Sequence, residues 1–125
     1  MNSRAKGARG ERQWRDELRA NGYAARRGQQ FSGSPDSPDV ICEALAWAHF
    51  EVKLVERLNI YDAMEQATRD AGLQKTPFVC HKRNFLPFLV TMDAETFFQF
   101  LRGTLPPESI NNKTNTDKTD ENQIL

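Results

Sequence analysis

The stretch from Ser37 to Leu54, SPDVICEALAWAHFEVKL, constrains the chain more than any other. Pro38-Asp39 precedes a short apolar run, Val40-Ile41-Cys42, and Glu51-Val52-Lys53 closes a second run that begins at Trp47. The β-branched and apolar residues of both runs suit strands. Glu43 to Ala46 predicts a turn between them, so the stretch reads as a β-hairpin, although it lacks the Asn-Gly or Asp-Gly of the commonest tight turns. Side chains alternate along a strand. Phe50, Val52 and Leu54 then share one face, and Trp47, His49, Glu51 and Lys53 the other. A carboxylate and an ammonium group on so apolar a strand are costly to bury without a partner or a use. The hairpin would set Asp39 across from Glu51. A carboxylate pair at that distance holds a hard divalent cation such as Mg²⁺ through oxygen, and Lys53 beside it would hold an anion or orient a water.

The flanking segments supply helices. Helix one is expected from Lys6 to Ala20, closed by Asn21-Gly22. Trp14 and Leu18 form its apolar face, and Glu11 shares that face by spacing. Taken alone, Glu11 is a helix-boundary carboxylate satisfied by the macrodipole or by an arginine. Arg12, Arg15 and Arg19 flank it. Tyr23 to Arg27 reads as a strand. The loop Gly28 to Ser37, GQQFSGSPDS, carries Ser32 and Ser34. Small hydroxyls and backbone amides in such loops commonly bind phosphate, and this one adjoins Arg26-Arg27; a solvated connection is the alternative. A second Pro-Asp, Pro35-Asp36, lies in this loop, but Asp39 directly abuts the apolar strand. Helix two is expected from Ile60 to Ala71, stopped by Gly72, with Ile60, Met64, Ala67 and Ala71 as its apolar stripe and Gln66 beside it. Arg69 either reaches backbone phosphate or pairs with Glu65 or Asp70. Strands follow at Pro77–His81 and Phe85–Met92, the latter with Pro87 marking an edge or bulge. Asp93 caps a last helix, Ala94–Leu101, which Gly103 ends. Phe85, Phe88, Phe97, Phe98 and Phe100 are read as core, and His49 and His81 as structural or surface histidines. The order of helix, three strands, helix, two strands, helix predicts an α/β fold with a mixed five-stranded sheet flanked by helices.

Pro38-Asp39 followed by Glu51-Val52-Lys53 resembles the signature of the PD-(D/E)XK nuclease superfamily. The surrounding order also fits. Lys6-Gly7 with Glu11-Arg12 comes first, then Gly22-Tyr23, the Gly/Ser loop, Glu-Val-Lys and Glu65-Gln66, which is similar to the archaeal-type Holliday-junction resolvases over about residues 5 to 101. The resemblance implies a restriction-endonuclease-like fold and a metal-dependent endonuclease acting on branched DNA, a four-way junction above all. Another nuclease of the superfamily cutting duplex, flap or single-stranded DNA, and a non-catalytic DNA-binding module of the same fold, remain the alternatives. It implies that Asp39, Glu51, Glu11 and the carbonyl of Val52 hold Mg²⁺, with Mn²⁺ as a substitute. It implies that Lys53 activates water and that Gln66 borders the site. Arg27 matches a basic residue placed near the scissile phosphate, and Arg12, Ser32, Ser34 and Arg69 are candidates for the DNA backbone. Paired cuts imply a C2 homodimer.

Composition narrows the setting. A chain of 125 residues suits one domain, expected over residues 1–103, and the polar segment 104–125 is expected to be a disordered tail. The formal net charge is zero, yet residues 1–30 carry eight Lys/Arg against three Asp/Glu, so a basic face can sit beside an acidic metal site. Cys42 and Cys80 lack CxxC spacing and are read as buried free thiols of a reduced cytoplasm rather than a zinc pair or disulfide. No apolar run approaches the roughly 20 residues of a membrane span, and the charged N-terminus has no apolar stretch after it to form a signal peptide.

Overall fold

A computed structural model describes residues 3–28 and 40–107. Eight elements follow in order: α1 (Ser3–Ala20), β1 (Arg26–Arg27), β2 (Val40–Ile41), β3 (Ala48–Leu54), α2 (Ile60–Ala71), β4 (Thr76–Lys82), β5 (Leu89–Thr91) and α3 (Ala94–Arg102), with a 3-10 turn at Glu43–Leu45. The chain divides after Asp93 into two units. The first holds both sheets and α1 and α2; α3 belongs to the second. No helix among the described residues is long and apolar enough to cross a membrane.

The fold is mixed α/β, and the five strands among the described residues form two sheets instead of the expected one. β1 pairs with β2 antiparallel, Arg26 opposite Ile41 and Arg27 opposite Val40. The second sheet has the order β3-β4-β5, parallel and then antiparallel. The expected hairpin between β2 and β3 is therefore corrected. Leu45 N–H bonds Cys42 O at 2.9 Å and Ala46 N–H bonds Glu43 O at 3.3 Å, so the connection coils into a 3-10 turn. The strand pairs instead with β4, across a twelve-residue helix of the length a parallel crossover needs.

Helix ends follow local chemistry. Gly22 (φ 91°) and Gly72 (φ 65°) stand just past α1 and α2 in the left-handed region that glycine adopts without a Cβ penalty. Asn59 caps α2, its side chain accepting from Asp62 N–H at 3.1 Å.

β3 and β4 are covered on both faces, as parallel strands usually are. On one face Trp14 and Leu18 of α1 meet Ala48, Phe78 and Cys80, with Phe50, Val52 and Phe88 packed against them. Trp14 lies 5.5 Å from the Phe50 ring and 5.1 Å edge-on from Phe88. On the other, Ala63 and Ala67 of α2 close over Val79 with Leu58, Ile60 and Met64 around them. The expected phenylalanine core is only partly present. Phe88 packs, but Phe85 is fully exposed, because its φ of 66° puts it in a turn and the strand starts only at Leu89. Phe97, Phe98 and Phe100 on α3 are also exposed.

Candidate active site

The informative row lies along β3 on the face turned to α2. Strand alternation puts His49, Glu51 and Lys53 there, because Phe50, Val52 and Leu54 face α1. Helix α2 carries buried alanines at four-residue spacing, Ala63, Ala67 and Ala71, and Ala63 and Ala67 close over Val79 on β4, the strand beside the row. Small side chains leave room for polar groups between strand and helix. Gln66 and Asp70, also four apart, lie on the same side of the helix and reach the row.

Glu51 is 6% exposed, a carboxylate deep in the fold. Its Oε1 lies 3.1 Å from His49 Nε2, and its Oε2 lies 3.6 Å from Lys53 Nζ. Lys53 Nζ donates to Gln66 Oε1 at 3.1 Å. The bare attraction of Lys53 and Glu51 is about 5 kcal/mol at an effective dielectric of about 20. Withdrawing each ion from water costs several kcal/mol, so the pair adds little net stability.

The other sequence-derived candidates are distributed around it. Glu11 and Arg27 meet each other: Arg27 Nε donates to Glu11 Oε1 at 3.1 Å and Nη2 lies 3.0 Å from the same oxygen. Glu11 lies on α1, the helix whose Trp14 and Leu18 pack on the sheet. Gly10 next to it lies against Val52 and Leu54, so close that a Cβ there would stand 3.2 Å from Leu54 Cβ. Val52 is half-buried, its side chain in the α1-facing core and its carbonyl within β3. Arg12 and Arg69 are exposed. Asp39, Asp36, Ser32 and Ser34, with residues 108–125 of the expected tail, lie outside the described residues.

Two residues near Glu51 were not singled out from the sequence. His49, Glu51 and Asp70 are, among the described residues, a group whose ligand atoms all lie within 4.8 Å of one another. The signals were available. His49 is two residues before Glu51 on one strand face, and Asp70 is one helical turn after Gln66. On β4, His81 Nε2 meets Thr91 Oγ1 at 2.8 Å, and burial lowers its pKa below the ordinary 6.5. Burial, and secondarily the charge of Glu51, pushes the Cys80 thiol far above its ordinary range.

No family model, no curated protein and no solved structure matches the chain.

Proposed function

We propose that the chain is a Mg²⁺-dependent, structure-selective DNA endonuclease of the PD-(D/E)XK kind, acting on four-way junctions, and that its two sheets are a variant of the restriction-endonuclease-like fold. The observation that carries this reading is the Glu51–Lys53–Gln66 group: a buried carboxylate with an ammonium 3.6 Å away, itself held by an amide at 3.1 Å. Its sequence context, with Asp39 upstream and Glu11 on the first helix, supports the same reading.

The donors suit the ion. Glu51 offers a buried carboxylate, Val52 a backbone carbonyl and Asp39 a second carboxylate, and hard cations prefer such all-oxygen sets. Mg²⁺ in such a set supplies a water of lowered pKa and neutralises charge on the phosphoryl oxygens, and Mn²⁺ would substitute for it. The side chains do the rest. Gln66 fixes one N–H of Lys53, and the ion pair with Glu51 fixes the direction of its Nζ. The remaining ammonium donors are then available to the attacking water or a phosphate oxygen. Arg12 and Arg69, exposed on two helices, contact the backbone and carry no sequence information. Arg27 is held back by Glu11 and reaches phosphate by exchanging that partner. Paired cuts in a junction require a second copy related by a two-fold axis, so the active species is a homodimer.

The test is strand cleavage of a synthetic four-way junction beside the matching linear duplex, in Mg²⁺ and in EDTA, with Lys53→Ala as the control. Paired symmetric cuts in the junction alone, lost in EDTA and in the variant, are expected. Equal cutting of both substrates would keep the nuclease and discard junction selectivity. No cutting of either, by a protein that binds the junction in a salt-dependent way, would leave a binding module.

A further inference from the structure

We propose that His49, Glu51 and Asp70 form a binding site for one divalent transition-metal ion of the zinc class, on the α2-facing side of β3. The site rests on described side chains alone and does not depend on the nuclease reading, although it shares Glu51 with it.

Three features point to it. The first is ligand geometry. Zinc–nitrogen and zinc–oxygen bonds are about 2.0–2.2 Å, so two ligands of one tetrahedral ion stand about 3.4 Å apart. His49 Nε2 and Glu51 Oε1 are 3.1 Å apart and need almost no adjustment. All the ligand atoms, Asp70 included, fall within 4.8 Å. Asp70 is exposed near the C-terminal end of α2, where its side chain can rotate to close the remaining distance.

The second is rigidity and room. Glu51 is held on both oxygens, by His49 and by Lys53, and is almost wholly buried. His49 is partly buried on β3, two residues away on one strand face. Two ligands thus come from a rigid strand and one from the adjoining helix. Ala67 and Ala71 of α2, on the helix that carries Asp70, are small and buried.

The third is donor chemistry. An imidazole nitrogen with two carboxylates is a borderline set. It suits zinc and its neighbours, whereas Mg²⁺ favours oxygen and retains its waters. Three protein ligands leave a fourth position open to water, as at zinc sites that are not purely structural. For binding, the His49 proton must reside on Nδ1 so that Nε2 offers its lone pair; any proton on Nε2 is released to solvent.

The experiment is calorimetric titration of the full chain with Zn²⁺ and, separately, with Mg²⁺, for the wild type and for His49→Ala and Asp70→Ala. Thermal melts with and without Zn²⁺ accompany each titration. Asp70 is exposed and His49 only partly buried, so both variants should fold, and circular dichroism checks this. One equivalent of Zn²⁺ is expected for the wild type, with a rise in Tm. Each variant should weaken binding by on the order of tenfold to a hundredfold or more, since even outer-sphere changes cost that much at zinc sites. Zn²⁺ binding equal in all three proteins, or absent from the wild type, would overturn the site. The Mg²⁺ cleavage assay is scored separately. Zinc binding without cleavage would sink only the nuclease reading, and cleavage without zinc binding would sink only this one.

Discussion

Replacing Gly10 with alanine sets two effects of opposite sign against each other at the contact between α1 and β3. In a helix interior alanine is favoured over glycine by about 0.8–1 kcal/mol. At this position the new Cβ would meet Leu54 Cβ at 3.2 Å, Val52 Cγ1 at 3.5 Å and the Leu54 backbone N at 3.7 Å. The nearest neighbour is the root of a side chain on a paired strand, so it cannot swing aside. The helix or the strand must give by a few tenths of an ångström. Overpacking of this kind costs about 1–3 kcal/mol, so the net effect is a loss of about 0–2 kcal/mol. Gly7, on the same helix, is the control, because a Cβ added there would meet nothing within 4 Å. Gly7→Ala should therefore show the propensity gain alone. With Tm moving by about 4–8 °C per kcal/mol in a domain of this size, thermal or urea melts should separate the two variants clearly. Gly7→Ala should rise by several degrees and Gly10→Ala should stay level or fall. Gly10→Ala gaining as much as Gly7→Ala would refute the close-packing argument. The site is linked to this contact, since Gly10 precedes Glu11 and its shift would be transmitted to the ion pair with Arg27.

Two further outcomes follow from burial. Cys80 is wholly buried and its thiol is shifted upward by desolvation and then by Glu51, so at pH 8 a maleimide should label it only as fast as the protein unfolds; labelling at the rate of a free thiol would contradict that. His81 has a folded pKa below its unfolded value of 6.5. The unfolded chain then takes up the proton first, so this contribution to stability is complete above about pH 6.5 and is lost as pH falls through the folded pKa. The stability difference between wild type and His81→Asn should therefore shift against the wild type between pH 7.5 and pH 5, as read from melts, and a pH-independent difference would refute it.

Local chemistry was legible in the sequence wherever a few adjacent residues decide the outcome. Helix α2 runs from Ile60 to Ala71 as the spacing predicts, because its apolar stripe and its terminal glycine are both local signals. Helix α1 ends at Ala20 before Gly22 for the same reason. The shared face of His49, Glu51 and Lys53 follows from strand alternation alone.

Strand pairing was not legible, because it depends on which distant strand offers a free ladder and which faces can be buried together. The stretch from Val40 to Leu54 looked like a hairpin; its turn lacked the residues that lock one, and β3 gained a longer ladder with β4, seven residues long. The partners of charged groups were hidden in the same way. Arg27 meets Glu11 from sixteen residues away, and Gln66 meets Lys53 only because α2 folds back over β3. Which side chains share a strand or helix face thus follows from the residue order, since alternation and helical period are properties of the local backbone. The convergence of His49, Glu51 and Asp70 arises from packing, because it requires a helix and a strand to meet at a particular register, which no local rule specifies.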